Sequence, residues 1–172
     1  MPFGVIDIGA YIPRLRLDRG AIAAAHKWMA PSLAGSAKGE RAFCSFDEDA
    51  VTMSVEALRD AVPAAGRARV RGLVLASTTL PYADLSNAAI VAAAADLPSD
   101  IQATESTGSQ RAATSALIQA LRAGADDTVI VATERPQAKP ASAQEMQFGA
   151  GAAALRLGKG DGIARFLGAG SV

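Results

Sequence analysis

Thr107-Gly108-Ser109-Gln110-Arg111-Ala112-Ala113-Thr114-Ser115-Ala116-Leu117 is the stretch on which the fold turns. A small polar turn runs straight into an alanine-rich segment. There Ala112, Ala113, Ala116, Leu117, Ala120 and Leu121 fall on one face at helical spacing, and Gly124 follows as a stop. The pattern predicts a helix that starts near Ser109 and packs closely on a sheet through small side chains. No thiol stands anywhere in the stretch.

Working outward, the apolar run Val129 to Ala132 reads as a buried strand after this helix, and Val70 to Ala76 as a central strand before it. Between them Ser86 caps an alanine-rich helix that ends before Pro98, followed by a strand-like segment. Further upstream, Asp47-Glu48-Asp49 opens a helix carrying Val51, Val55, Leu58 and Val62 at helical spacing, and Pro63 ends it. Phe3 to Ile8 is a first strand, Ile22 to Trp28 a helix, and Pro31 to Gly39 a loop of small residues. Downstream of a polar loop through Lys139 and Pro140, Phe148 to Leu155 and Ile163 to Leu167 read as two last strands joined by Gly158 to Gly162. Strands alternating with helices predict an α/β domain with a mixed, mostly parallel sheet and covering helices.

Composition sets the bounds. The 172 residues allow one compact domain, read as a single unit over 1–172, and half of them are apolar, enough for a core. Basic and acidic residues number 17 each, so charge gives no reason to expect a nucleic-acid partner. A single cysteine excludes an internal disulfide. The N-terminus lacks the pattern of a signal peptide, and no run approaches the roughly 20 apolar residues of a membrane helix. A soluble cytoplasmic protein is the expectation.

Few side chains offer chemistry. Cys44, between Phe43 and Phe46 at the approach to a helix, reads as a packed thiol more readily than as a nucleophile. His26 is the only histidine, which argues against a zinc site within the chain, and no metal is expected. The Gly158 to Gly162 segment is a hairpin connection without the spacing of a phosphate loop.

Six blocks, in order, carry a resemblance. They are Gly9-Ala10-Tyr11-Ile12-Pro13-Arg14-Leu15-Arg16-Leu17, Gly39-Glu40-Arg41-Ala42, and Asp47-Glu48-Asp49-Ala50-Val51-Thr52-Met53-Ser54-Val55-Glu56-Ala57. Then come Ala76-Ser77-Thr78-Thr79-Leu80-Pro81-Tyr82-Ala83, the Gln110 block, and Phe148-Gly149-Ala150-Gly151-Ala152-Ala153-Ala154. Together they resemble the 3-hydroxy-3-methylglutaryl-CoA synthase branch of the thiolase superfamily. The resemblance implies one half of a thiolase-like αβαβα sandwich, a five-stranded mixed sheet with helices. It covers the N-terminal half only, and the C-terminal half of such proteins supplies the active-site histidine.

The same resemblance marks three departures. Gln110 stands where acyl-transferring members carry the nucleophilic cysteine, Thr78 where the synthases carry a general-base glutamate, and Ala150 where an aspartate is common. A carboxamide forms no thiolate, and a threonine takes no proton near neutral pH. Gln110 then reads as a relic, or as a group that polarises or holds an acyl carbonyl beside helix N–H groups. Tyr82 falls where relatives line the active-site mouth, and serves substrate contact or turn packing. Trp28 suits an adenine ring; Lys38, Arg41 and Arg111 suit CoA phosphates, with solvated surface charge as the alternative for each.

The function this implies is that of a thiolase-like subunit of a complex acting on acyl-CoA thioesters, as acyltransferase or carbon–carbon lyase, with coenzyme A thioester as substrate and no covalently bound cofactor. The implied partners are a complementary C-terminal half or a thiolase-like homologue, and a small zinc-ribbon OB-fold protein. The alternatives are a non-catalytic structural subunit and a CoA-thioester binding module. An oligomer is expected, because a half-sandwich leaves an apolar layer uncovered.

Overall fold

Asp49 shows how local sequence sets the first large helix. Its carboxylate accepts the Thr52 amide at 2.8 Å, and Thr52 Oγ1 accepts the Asp49 amide at 2.7 Å, a reciprocal cap that starts α2 (Ala50–Ala61). Val51, Met53, Val55, Ala57, Leu58 and Ala61 are buried along it, and Val62 ends it before Pro63. The chain is described here by a computed structural model over residues 2–170.

The strands are β1 (Phe3–Tyr11), β2 (Leu15–Asp18), β3 (Glu40–Phe43), β4 (Gly72–Ala76), β5 (Gln102–Ser106), β6 (Thr128–Glu134), β7 (Gly151–Lys159) and the two-residue β8 (Ala164–Arg165). The main sheet has the order β5-β4-β6-β7-β1-β8. β5, β4, β6 and β1 point one way, and β7 and β8 run against them. The mixed, mostly parallel sheet is therefore as expected; it has six strands where the family resemblance implies five, the sixth being β8, which lies at the edge of β1 within the predicted Ile163 to Leu167 strand.

Two helical layers cover this sheet unequally. α2 and α4 (Asn87–Ala94) lie on one face, over Leu73, Leu75, Val129, Val131, Ala152 and Ala154. Ser86 caps α4 by accepting the Ala89 amide. Gly9 of β1 meets α2 so closely that a Cβ there would lie 2.3 Å from the Ala61 nitrogen and 2.4 Å from the Ala57 carbonyl oxygen. On the other face α5 (Ala112–Ala123) packs through Ala116 and Ala120 on Ile130 and Leu157. It leaves the same face of β7 and β1 open: Ile8 is 57% exposed, with Ala10 and Ala153 exposed beside it.

Several boundaries differ from the sequence reading. α5 starts at Ala112 and not at Ser109, because Gly108 takes a left-handed φ of 82° and Ser109 Oγ accepts the Arg111 amide, closing a turn first. Ala112, Ala116 and Ala120 are buried, while Ala113, Leu117 and Leu121 are half-buried. Gly124, at φ 62°, ends the helix as expected. The first helix, α1, spans Arg19–Ala25, ahead of the predicted Ile22 to Trp28, since Asp18 caps it through the Ala21 amide. The Pro31 to Gly39 loop contains a 3-10 turn at Pro31–Ser36. β2 and β3 pair as a separate antiparallel hairpin that the sequence reading lacked, as it lacked the short helices α3 (Ala64–Arg67) and α6 (Ala143–Gln147). The last two strands narrow to β7 and a β8 of two residues. No helix among the described residues is long and apolar enough to cross a membrane.

Candidate functional site

Strand order picks out one edge. From β4 the chain goes to β5 on one side and then crosses to β6 on the other, so the connections diverge beyond the carboxyl ends of β4 and β6. In open α/β sheets that divergence opens a crevice where ligands bind. The loops after β4 and β6 meet there.

Glu134, the last residue of β6, is the centre of that meeting. Its Oε1 accepts the Thr78 amide at 2.8 Å, and its Oε2 accepts the Thr78 hydroxyl at 3.0 Å and the Thr79 hydroxyl at 2.9 Å. Thr79 Oγ1 in turn accepts the Arg135 amide at 2.8 Å, and Ser77 Oγ accepts the Thr79 amide at 2.9 Å. The half-buried carboxylate is held by three donors, with acceptor capacity left on Oε1. Sequence reasoning took Thr78 as a site without a carboxylate and missed Glu134. The available signal was a glutamate closing the apolar Thr128–Glu134 strand at its carboxyl end.

The Gln110 turn sits at the end of the adjacent strand. The Ser77 amide donates to the Ser106 carbonyl at 3.1 Å, tying the β4 loop to the end of β5. Gln110 and Arg111 follow as exposed residues of the turn before α5, and Arg111 occupies the N-cap position without a side-chain cap. Tyr82 is 43% exposed, and its backbone is clamped by the buried Asn87, whose Oδ1 accepts the Tyr82 amide at 3.1 Å and whose Nδ2 donates to the Tyr82 carbonyl at 2.9 Å. Glu105 supports the clamp by accepting the Ala88 amide at 3.1 Å.

Of the predicted phosphate and adenine contacts, the fold carries Arg41 to this edge as well as Arg111. Arg41 on β3 donates to the Phe148 carbonyl at 3.2 Å and shares a pocket with Arg135, the residue after Glu134. Lys38 and Trp28 are exposed on the segment between α1 and β3, Trp28 by 83%, and no side-chain hydrogen bond or ion pair among the described residues ties either to the loops. Cys44 lines the Arg41 pocket and contacts Met53 Sδ at 3.7 Å. Burial pushes its thiol pKa up, and the neighbouring Arg135 charge opposes that rise. His26 pairs with Glu145 at 3.3 Å, and among the described residues neither side chain bonds to Glu134. Among the described residues no group of three or more His, Cys, Asp or Glu side chains is arranged to hold a metal.

Comparison with known proteins fits this architecture. The chain is 32% identical over 173 residues to the hydroxymethylglutaryl-CoA synthase of Methanocaldococcus jannaschii, covering 96% of this chain and 50% of that protein. It is 30% identical over 170 residues to the enzyme of the same name from Methanocella arvoryzae, covering 95% and 49%. The chain matches part of a hydroxymethylglutaryl-CoA synthase-like member of the thiolase superfamily. It spans about half the length of the curated relatives it matches. Among solved structures, an HMG-CoA synthase complexed with CoA superposes with a TM-score of 0.80 at 19% identity, over 92% of this chain and 42% of that one. The 3-oxoacyl-(acyl carrier protein) synthase III of Pseudomonas aeruginosa PAO1 gives 0.76 at 23% identity, over 94% and 51%. These likenesses show a thiolase-like fold. No protein-family model matches the chain.

Proposed function

We propose that this chain is the N-terminal half of a thiolase-like enzyme that acts on acyl-CoA thioesters, with proton transfer by Glu134 and without a covalent acyl intermediate at residue 110. The observation that carries the reading is the Glu134 carboxylate fixed by Thr78 and Thr79 at the β4–β6 crevice. Its role fits making or breaking a carbon–carbon bond in a β-hydroxyacyl-CoA. In the cleavage direction Glu134 takes the β-hydroxyl proton and the Cα–Cβ bond breaks. A carbonyl compound and a thioester enolate form, and the proton returns to the enolate carbon. No step requires a thiolate. Gln110, exposed beside the start of α5, supplies an amide donor for the thioester oxygen, and Tyr82, Arg111, Arg41, Lys38 and Trp28 serve the CoA moiety.

The open face of β7 and β1 supports a partner in this role. Ile8, Ala10 and Ala153 form an apolar surface beside α5, which a complementary thiolase half or a thiolase-like homologue covers. A zinc-ribbon OB-fold protein that delivers the acyl-CoA belongs to the same proposal, as does a cytoplasmic setting, which suits the single free thiol.

The test is to co-purify the chain with its partner and supply β-hydroxyacyl-CoA. The expected result is turnover with no acyl mass added to the protein. Turnover through an acyl adduct, or CoA-thioester binding without turnover, refutes the reading and returns the chain to a supporting or binding role.

A further inference from the structure

Gly66, inside the short helix α3, has no local reason to be glycine. Its φ is not left-handed, and a Cβ there would meet nothing closer than Val62 Cγ1 at 3.4 Å, an ordinary van der Waals contact. Alanine would fit and is the better helix former. The same Cβ would stand 3.6 Å from Arg156 Nη1 and 4.0 Å from Arg69 Nη2. The missing methyl group therefore keeps open a space on which two guanidinium groups converge.

Arg156 of β7 is buried, at 6% exposure. Asp127 engages its Nη2 alone; Nε is buried without a partner, and Nη1 donates to no group among the described residues. Arg69 is exposed and forms no ion pair within 4.0 Å among the described residues. Of the arginines flanking it in sequence, Arg67 lies 3.8 Å from Asp96, and Arg71 has no carboxylate within 4.0 Å. Asp7, the register partner of Arg156 on β1, forms no ion pair either. Arginine thus outnumbers carboxylate along this rim.

Like charges facing one space repel, and a donor held in a largely buried side chain is costly until it meets an acceptor. An oxyanion in front of Gly66 relieves both conditions. We propose that Arg156 and Arg69 form a phosphate site across Gly66, with Arg156 Nη1 and Arg69 Nη2 donating to the phosphoryl oxygens. Guanidinium forks match those oxygens, and the excess positive charge favours a dianion. The site lies at the amino ends of β4 and β6, because Arg71 and Asp127 precede these strands and Arg156 pairs with Val129. Glu134 closes the opposite end of β6, about 20 Å away at the rise of an extended strand. It is a second site, separate from the crevice and independent of the acyl-CoA reading.

The experiment measures the urea midpoint of the intact protein as inorganic phosphate replaces sodium chloride at constant ionic strength. Phosphate should raise the midpoint in a saturable way, as a ligand of the folded state does. Arg69→Gln should raise the half-saturating concentration about tenfold, the loss of one charge-assisted contact. Gly66→Ala should abolish the phosphate response and leave the phosphate-free midpoint unchanged or higher, because the methyl group fits the fold and fills the ligand's space. Arg165→Gln on β8 should respond as the unmodified protein does. An unsaturable rise shared by every variant is a general salt effect and overturns the proposal, as does a full response in Gly66→Ala or Arg69→Gln. A phosphate-free midpoint lowered by Gly66→Ala also overturns it, since packing would then require the glycine. Phenyl phosphate distinguishes the source of the group: a half-point below that of inorganic phosphate identifies a phosphate monoester, and one above it identifies the free ion.

Discussion

Replacing Asn87 by alanine tests how the loop beside the candidate site is held. Asn87 is fully buried at the first position of α4, and its carboxamide closes two hydrogen bonds onto Tyr82, at 3.1 and 2.9 Å. Contacts to the Leu85 carbonyl and to Glu105, both at 3.4 Å, add less. The two short bonds contribute about 1 kcal/mol each. The space left by the carboxamide costs about 1 kcal/mol more. Alanine recovers about 0.5 kcal/mol through helix propensity. The sum is a loss of about 2.5 kcal/mol, which at a slope near 2 kcal/mol/M lowers the urea midpoint by about 1 M. Hydrogen exchange should show the Tyr82 amide losing protection, because its acceptor is gone. A midpoint shift below about 0.2 M, with exchange at Tyr82 unchanged, refutes the clamp.

Other named contacts give equally definite outcomes. Gly9→Ala places a methyl group against the α2 backbone, which cannot yield as a side chain does, and should cost about 3 kcal/mol or more by chemical denaturation; a neutral effect contradicts the close approach of β1 to α2. Asp49→Ala removes the reciprocal cap of α2 and should cost about 1 kcal/mol in the same assay. Tyr11 donates to Glu48, and that bond, with burial and the Glu48 charge, pushes its pKa up to about 12. The folded value is raised above the unfolded one, so the stability it contributes is present below about pH 10 and lost as pH rises toward 12. In a Tyr82→Phe background the phenolate absorbance should titrate near 12, and Glu48→Gln should bring it down. A midpoint unaffected by Glu48→Gln contradicts the assignment.

The sequence made some elements legible because their signals are local. The acidic run ending at Asp49 before α2, Ser86 before α4 and Gly124 after α5 each act within a few residues, and all three mark real helix ends. The β2–β3 hairpin was not legible, since its strands are four residues long, mostly polar or half-exposed, and separated by α1 and the 3-10 turn. The start of α5 was misplaced because a serine before an alanine run looks like a cap, whereas Ser109 closes a turn that only the backbone at Gly108 reveals. Thr78 drew notice by what it lacks. Its importance here is as a donor to Glu134, 56 positions away, and only the pairing of β4 with β6 brings the two together. Arg41 was legible as a cation, but its meeting with Arg135 depends on the hairpin lying against the residues before β7.

The central claim is that the working group at this edge is the Glu134 carboxylate and not residue 110. Turnover of a β-hydroxyacyl-CoA by the partnered chain, measured side by side for Glu134→Gln and Gln110→Ala, tests it most directly. Glu134→Gln keeps shape and hydrogen-bonding capacity but cannot take a proton, and should lower the rate at least about 100-fold. Gln110→Ala loses one neutral hydrogen bond and should lower it less than about tenfold. Full activity in Glu134→Gln, or its loss in Gln110→Ala alone, contradicts the account.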